Sequence, residues 1–305
     1  MKKNILLLAL VFSTVAAFCQ NNNYLHNGAI GSPQSKDTVK KDAKFLYGPV
    51  KFRELKETVG ETYIVLPLPQ WVKKYGYSIY KGEISNNRNI DTLEGPGKLF
   101  ILREIDDNVA RFRDSKDELY TIELLKGYIP GVAPVYDIDE ARKLFLNKTL
   151  WMNQDFIKIQ DAEGKEQEVK GLRFEPVKVV NVVGSERSVH PIRFIVQTPK
   201  NETGFADVIV SGTNYNLQYL LQYMFENIFY TKDPKITYKF TPAMWAKIKN
   251  HEVEIGMTKD QVFLSRGRPT KVNNSTGGGG MADQWVYGDN TYFYFRNGKL
   301  ATIQN

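Results

Sequence analysis

The residues of this chain best suited to metal binding or nucleophilic catalysis are few and widely separated. His26, His190 and His251 include no pair at i, i+4 spacing, and none has a second candidate ligand beside it. Ser211 is outside any Gly-x-Ser-x-Gly elbow, so it is interpreted as the end of a strand. The glycine run Gly277–Gly280 is not followed by the Lys-Ser/Thr of a phosphate loop, and a hairpin loop is predicted there. The sequence therefore predicts no catalytic residue, no cofactor, no metal site and no enzymatic activity.

The N-terminus has the order of a secretory signal peptide. Two lysines follow the initiating methionine, Ile5–Phe12 is an unbroken apolar run, and small residues follow it. The apolar stretch is shorter than the roughly 20 residues that a membrane-spanning helix needs. Cleavage is predicted between Cys19 and Gln20, and the bulky Phe18 disfavours the alternative in which Cys19 is lipidated. We therefore expect an exported protein that is periplasmic or outer-membrane-associated, with an extracellular location as the alternative.

Charge and composition narrow the class of partner. The 305 residues are 42% hydrophobic and 25% charged, a globular composition. Lysines and arginines number 41 against 34 acidic residues, and two of the lysines belong to the leader, so the mature net charge is +5. The basic residues are scattered among acidic ones and form no run of five or more, which argues against nucleic-acid binding. The expected partner is a protein or a component of the cell envelope, and peripheral membrane association is compatible with this charge.

The sequence predicts an α+β chain in which β-rich modules precede a mixed C-terminal module. The β region contains short runs of β-branched and aromatic residues bounded by Gly, Pro and Asn, and one helical segment, Asp139–Asn147. The predicted parts are a signal peptide (1–19), a flexible tether (20–43), a first β-rich module (44–135), a second β-rich module (136–213) and a C-terminal module (214–305).

The two β-rich modules are interpreted as a duplication. Short segments recur in the same order, and they align Gly60 with Asn147, Lys98 with Lys178, and Tyr120 with Phe205. Two barrels of roughly 80 residues, resembling Src-homology-3-type barrels, would account for this order. The alternative is that short strands of similar composition resemble one another without common descent.

Helix signals open the C-terminal module. The apolar residues of 217–228 recur at i, i+3 and i+4, which predicts one amphipathic helix. A second helix is predicted to begin at Thr241-Pro242, an N-cap followed by proline. A third begins at Thr258, where Gln261 completes a capping box, and Gly267 ends it.

Three strands are predicted after these helices, over 284–287, 291–296 and 299–304. Asn297-Gly298 is a strong hairpin signal between the last two. Alternation in the middle strand places Tyr292 and Tyr294 on one face and Phe293 and Phe295 on the other. One of these faces must pack on the helices, and the sequence does not say which.

The C-terminal pattern resembles a known family. The segments Gly256–Val262, Gly267–Thr270, Gln284–Gly288 and Phe295–Leu300 are similar to the BamE family of small lipoproteins of the outer-membrane β-barrel assembly machinery. The resemblance implies an α-α-β-β-β fold, whose layout the β-lactamase inhibitor proteins share. It also implies an adaptor or inhibitor rather than an enzyme.

The leading functional hypothesis is thus a non-enzymatic binding or scaffolding protein of the cell envelope, with outer-membrane assembly as one setting. Its candidate partner contacts are Arg266, Arg268, Tyr292 and Tyr294. One alternative is a hydrolase inhibitor that inserts the loop 274–283 into a cleft. Another is an envelope hydrolase with two carboxylates in a pocket between the β modules.

Overall fold

A computed structural model describes residues 48–84, 89–91, 93–186, 189–215, 223–267, 269–277, 280–288 and 290–305. The predicted signal peptide, Cys19, Gln20 and the predicted tether lie outside these residues. The chain forms two compact units, which meet in sequence between Thr231 and Lys232. In the parts that are described, no helix has the length and apolar character needed to cross a lipid bilayer.

The first unit begins with a six-stranded antiparallel sheet. Its strands follow a 3-10 helix, Leu55–Thr58. They are β1 (Thr62–Val65), β2 (Ile79–Lys81), β3 (Leu99–Asp106), β4 (Val109–Arg113), β5 (Leu119–Glu123) and β6 (Val132–Pro134). The spatial order is β2-β5-β4-β3-β1-β6. Alternating residues of β4 are fully buried, so this sheet packs one face on a core.

A helix and a second sheet complete the first unit. Helix α1 (Val135–Phe145) follows β6 directly. The strands are β7 (Thr149–Met152), β8 (Ile157–Gln160), β9 (Glu166–Val169), β10 (Pro176–Gly184), β11 (Ile192–Gln197), β12 (Thr203–Val208) and β13 (Phe229–Tyr230). Their spatial order is β13-β7-β10-β11-β12-β8-β9. A short helix, α2 (Phe225–Ile228), precedes β13.

The two sheets repeat one strand order. The second sheet places β7, β8, β10, β11, β12 and β13 where the first sheet places β1, β2, β3, β4, β5 and β6, in that order. Strand β9 is the single addition. A bulge interrupts β3 between Leu102 and Glu104, and another interrupts β10 between Val179 and Asn181. The duplication proposed from the sequence therefore has a counterpart in the topology.

Hydrogen bonds show which residues correspond. Gly60 donates its N–H to the Leu102 carbonyl at 2.7 Å, and Asn147 donates to Val179 at 2.9 Å. Both donors have positive φ, 93° and 63°, which glycine and asparagine tolerate best. The predicted match of Gly60 with Asn147 thus falls on equivalent backbone positions.

The other two predicted matches are shifted. Val65 donates to the Lys98 carbonyl and Met152 donates to that of Glu175, so Lys98 corresponds to Glu175 rather than Lys178. Tyr120 of β5 lies opposite Phe112 of β4, and Gly204 of β12 lies opposite Val196 of β11. Tyr120 therefore corresponds to Gly204 rather than to Phe205. Similar apolar runs can be aligned in more than one way by sequence, whereas the hydrogen-bond register fixes which residues correspond.

Two apolar cores hold the first unit together. The first sheet packs an aromatic cluster in which the rings of Phe100 and Tyr120 stack at 4.4 Å. The second core contains buried residues of the second sheet and also Val50, Ile64 and Leu66 from the first module. The second core therefore contains residues of both modules, which explains why the modules form a single compact unit.

The predicted helix over 217–228 is present over Phe225–Ile228, but it is interrupted at Met224. Met224 is extended, with φ −67° and ψ 145°, because it forms a parallel bridge with Ile209. Helix α2 therefore starts only at Phe225, and β13 pairs with β7 in the second sheet. The predicted helical residues 217–222 lie outside the described part. Residues 223–231 thus belong to the first unit, and the C-terminal unit begins at Lys232 rather than at 214.

The C-terminal unit contains three helices and a four-stranded meander. The elements are α3 (Pro234–Thr237), α4 (Pro242–Lys249), α5 (Lys259–Arg266), β14 (Lys271–Gly277), β15 (Gly280–Val286), β16 (Tyr292–Arg296) and β17 (Lys299–Gln304). The capping box is present, since Thr258 Oγ1 accepts from Gln261 N–H and Gln261 Oε1 accepts from Thr258 N–H. Gly267 ends α5 with φ 78°.

Strand β14 changes the predicted α-α-β-β-β layout to one with four strands. It is polar and lacks apolar alternation, so the sequence gives no strand signal. It nevertheless pairs with β15 along its length, and Gly277 lies opposite Gly280. The predicted insertion loop 274–283 consequently lies largely within a paired hairpin. Residues 278–279 are outside the described part.

Candidate functional site

The terminal sheet separates its aromatic residues by face. Phe293 and Phe295 are buried with Trp285 and Leu300 in the core of the C-terminal unit. Tyr292 and Tyr294 alternate with them and are half-buried on the opposite, outward face. The structure thus decides which aromatic face packs on the helices.

A chain of side-chain hydrogen bonds crosses this outward face. Asn273 Nδ2 donates to Gln284 Oε1 at 2.7 Å, and Gln284 Nε2 donates to the Tyr294 hydroxyl at 2.9 Å. The Tyr294 hydroxyl donates in turn to Gln304 Oε1 at 2.8 Å. Each strand of the sheet contributes one member, so the side chains are fixed in one arrangement before any partner binds. We call these four residues, with Tyr292, the tyrosine–amide face.

The charge around the tyrosine–amide face is basic. The pairing of Lys271 with Val286 places Lys271 on the outward side, and Arg296 follows the inward Phe295. Asp283 is buried on the inward side, where Lys259 forms a salt bridge with it. Among the described strand residues, the register places no carboxylate on the outward side. A partner of the face would therefore meet neutral amides and phenols with cations at the margin.

The two candidate arginines do not extend this face. The Arg266 guanidinium lies 5.9 Å from the centre of the Tyr287 ring. Tyr287 is an inward residue whose ring lies 5.1 Å from that of Phe293. Arg266 is thus on the helix side of the sheet, away from Tyr292 and Tyr294. Arg268 lies outside the described residues.

A second group of polar side chains lies in the first unit, where Asp137 and Ser211 are buried and Arg53 and Glu61 are partly exposed. Asp137, in the first turn of α1, is 3% exposed. The Ser211 hydroxyl donates to Asp137 Oδ2, and Arg53 Nη2 lies 3.7 Å from Asp137 Oδ1. The same guanidinium forms a salt bridge with Glu61. We call Arg53, Glu61, Asp137 and Ser211 the buried polar cluster.

Backbone contacts show that the buried polar cluster is located where the two modules join. Arg53 N–H donates to Thr213 Oγ1 at 3.3 Å, which ties the N-terminal segment to the end of the second sheet. The Asn214 side chain accepts from Ile129 N–H at 2.7 Å and donates to the Ile129 carbonyl at 2.8 Å. The turn after β12 is therefore bonded to two separate segments of the first module.

A recess lies beside Asp137 at the end of the second sheet. Its free space is about 10 Å³, room for about one water molecule, and its polar lining includes Asp137, Ser211, Thr213 and Tyr215. Ligand pockets usually have about 300–1,000 Å³, so the recess is small for a substrate. The Ser211 hydroxyl is engaged as donor to Asp137 and as acceptor from Thr213 N–H at 3.0 Å.

Burial changes the acidity of two groups in the recess. It raises the pKa of Asp137 to about 6, although the Ser211 hydrogen bond and the Arg53 charge act in the opposite direction. Burial also raises the pKa of Tyr215 to about 12. Asp137 is the one carboxylate among the described lining residues, since Glu61 lies on the far side of the Arg53 guanidinium. The recess therefore gives the hydrolase hypothesis no pair of lining carboxylates.

Comparison with known proteins adds no further assignment. No protein-family model matches the chain, and no curated protein matches it. In the described ranges, no three His, Cys, Asp or Glu side chains are grouped as metal ligands. The tyrosine–amide face and the buried polar cluster are thus defined by their own geometry. The sequence pointed to Tyr292 and Tyr294 but singled out no residue of the buried polar cluster except Ser211, which it interpreted as a strand end.

Proposed function

We propose that this protein is an exported, non-enzymatic binding or scaffolding protein of the cell envelope, and that its tyrosine–amide face contacts a protein partner. The observation that carries the proposal is the outward position of Tyr292 and Tyr294 in a sheet whose other face packs Trp285, Phe293, Phe295 and Leu300 into the core. Tyrosine is enriched at protein interfaces, where it adds contact area at a small entropic cost.

Preorganisation supports a binding role. The hydrogen-bond chain from Asn273 to Gln304 fixes the tyrosine and the amides in one arrangement. A partner would then not have to restrict these rotamers, a cost of about 0.5–1.5 kcal/mol for each flexible side chain. The face therefore has the rigidity expected of a contact surface.

Two likenesses in fold support the scaffolding part of the proposal. In each half of the first unit, a strand (β1 or β7) pairs on one side with a three-stranded meander and on the other with a late strand, an order that is compatible with the Src-homology-3-type barrels that we propose for this region. The C-terminal unit combines capped helices with an antiparallel meander, as the BamE resemblance implies, with one strand more. Function inferred from such likeness is an analogy, so the contact face carries the proposal.

The contact is tested by crosslinking in the native envelope. A photoreactive residue at Thr302, exposed and opposite Tyr294, should capture one partner protein, and Tyr292→Ala with Tyr294→Ala should reduce that capture at least 10-fold. Ile236→Ala with Ile255→Ala, at two exposed apolar positions of the same unit, should leave capture unchanged. Equal capture by the tyrosine variant and the control would contradict the proposal.

Export is tested by the mature N-terminus. Intact-mass measurement of the exported protein should give a chain that begins at Gln20 and carries no lipid, because Phe18 fits poorly before a lipidated cysteine. Cys19→Ser should leave the mass of the mature chain unchanged. A mature chain that begins at Cys19 with added acyl mass would establish the lipoprotein alternative.

A further inference from the structure

A loop of the first unit connects β1 to β2. Pro67 and Pro69 restrict the backbone at its start, and the Pro69 carbonyl accepts from Val72 N–H at 2.8 Å. A 3-10 helix, Lys73–Tyr75, follows, and Gly76 ends it with φ 72°. The loop thus holds its outermost side chains in a defined position.

The side chains at the tip of this loop are large and exposed. Trp71 is 68% exposed and Tyr75 is 71% exposed, whereas most large apolar residues of the unit are buried. Leu93, on the adjacent loop, is 89% exposed. The two loops touch, since Gly95 lies so close to the Tyr77 ring that a Cβ would come within 2.6 Å of it. Trp71 and Tyr75 belong to one short loop, and exposed apolar groups that form one patch indicate a contact surface.

Two lysines accompany the aromatic residues. Lys73 and Lys74 are exposed between Trp71 and Tyr75, and Lys74 Nζ lies 4.8 Å from the centre of the Tyr75 ring. The sequence contains no acidic residue from position 62 to 82. Neither lysine pairs with a carboxylate among the residues that the structure describes. The tip therefore combines amphipathic aromatic rings with two lysines that form no ion pair in the described residues, whereas the adjacent loop carries Asp91 and Glu94 beside Leu93.

We propose that this tip, Trp71–Tyr75, docks the protein on the surface of an anionic lipid bilayer. Tryptophan and tyrosine are enriched at the level of lipid headgroups, where the ring is in an apolar environment and the N–H or O–H meets water. Lysines beside them are attracted to anionic headgroups, and their long stems reach along the interface. This docking is independent of the protein contact proposed for Tyr292 and Tyr294.

The lysines favour a lipid surface over a protein partner. Lysine is depleted in the core of protein–protein interfaces, whereas Trp71 and Tyr75 would have to form that core with Lys73 and Lys74 between them. On a bilayer the same side chains lie at the depth that each prefers. A single apolar contact of this size gives reversible binding, so the lysines are expected to contribute a large share of the affinity.

Vesicle binding tests the docking. The full-length mature chain should sediment with vesicles of phosphatidylcholine and phosphatidylglycerol and only weakly with phosphatidylcholine alone. Lys73→Gln with Lys74→Gln should weaken binding to the anionic vesicles by about 5-fold for each lysine. Trp71→Ala with Tyr75→Ala should weaken it at least 10-fold, and Ile236→Ala with Ile255→Ala, which removes exposed apolar groups of the other unit, should have no effect.

Insertion of the tryptophan provides a second readout that does not depend on affinity. Brominated lipids should quench part of the tryptophan fluorescence, and Trp71→Phe should remove the quenched component while circular dichroism stays that of the native fold. Failure to bind anionic vesicles, binding unchanged in the loop variants, or quenching that persists in Trp71→Phe would each overturn the proposal. The crosslinking result at Thr302 would be unaffected by any of these.

Discussion

Replacing Phe295 with alanine should destabilise the C-terminal unit by about 3–5 kcal/mol, enough to unfold many domains of this size. Phe295 is 1% exposed, and its ring centre lies 4.7 Å from that of Trp285. It shares a core with Met257, which precedes α5, with Val262 in α5 and with Leu300 in β17. Removal of the ring would leave a cavity among residues that come from several elements, which limits how far they can relax.

The matched variant Tyr294→Ala should have a much smaller effect. Its hydroxyl forms hydrogen bonds with Gln284 and Gln304, each with a net value of about 0.5–1.5 kcal/mol. Both partners are accessible enough for water to replace the phenol. Tyr294→Ala should therefore remain folded, which is the condition for interpreting its loss of partner capture.

Hydrogen exchange measured by mass spectrometry separates the two variants. Amides of β15, β16 and β17 should lose protection in Phe295→Ala and keep most of it in Tyr294→Ala. Peptides from the first unit serve as the internal reference in both. Loss of protection in Tyr294→Ala equal to that in Phe295→Ala would mean that the tyrosine is structural, and the contact hypothesis would fail at this residue.

The sequence was most informative where structure depends on neighbours along the chain. The capping box of Thr258 and Gln261, the helix end at Gly267 and the hairpin at Asn297-Gly298 are all present in the structure. Each depends on hydrogen bonds or dihedral angles within a few residues. Strand β14 has no such local signal, because its backbone partners come from β15.

Tertiary contacts overrode one regular pattern. The apolar spacing around Met224 satisfies a helical period, yet Met224 is extended because its neighbours form backbone hydrogen bonds with Ile209. Apolar residues with a period of 3.6 can be buried together, but the period does not decide whether the backbone there is helical or extended. The boundary between the units was consequently predicted too early in the chain.

The two candidate sites differ in what the sequence could provide. Alternation in β16 separated the tyrosines from the phenylalanines, and only packing on the helices decided which face is outward. The buried polar cluster had no sequence signal, because Arg53, Glu61, Asp137 and Ser211 come from separate segments. Residues that come together only where two modules pack can be recognised only from the three-dimensional structure.

Substituting Asp137 with asparagine should remove a pH dependence from the stability of the first unit. Burial raises the pKa of Asp137 from its ordinary value of 3.8 to about 6, so the folded state holds this proton more tightly than the unfolded state does. The stabilising contribution is therefore complete below about pH 4 and is lost as the pH rises through 6. The difference corresponds to about 3 kcal/mol between these limits.

The groups around Asp137 determine the direction of this effect. Arg53 and the Ser211 hydroxyl favour the carboxylate, but Glu61 shares the same guanidinium and opposes a second negative charge. The loss of hydration on burial exceeds these attractions. Asparagine keeps the size of the side chain and an oxygen for Ser211, and it carries no charge at any pH.

Urea unfolding of the full chain at several pH values between 4 and 7 measures the effect. The difference in unfolding free energy between wild type and Asp137→Asn should fall by about 3 kcal/mol across this range, because only the wild type gains a buried charge. Asp117→Asn is the control, since that side chain is 80% exposed and asparagine tolerates its positive φ. Parallel curves for wild type and Asp137→Asn would show that the carboxyl is already ionised at pH 4. The charge of Arg53, and not burial, would then dominate the pKa of Asp137.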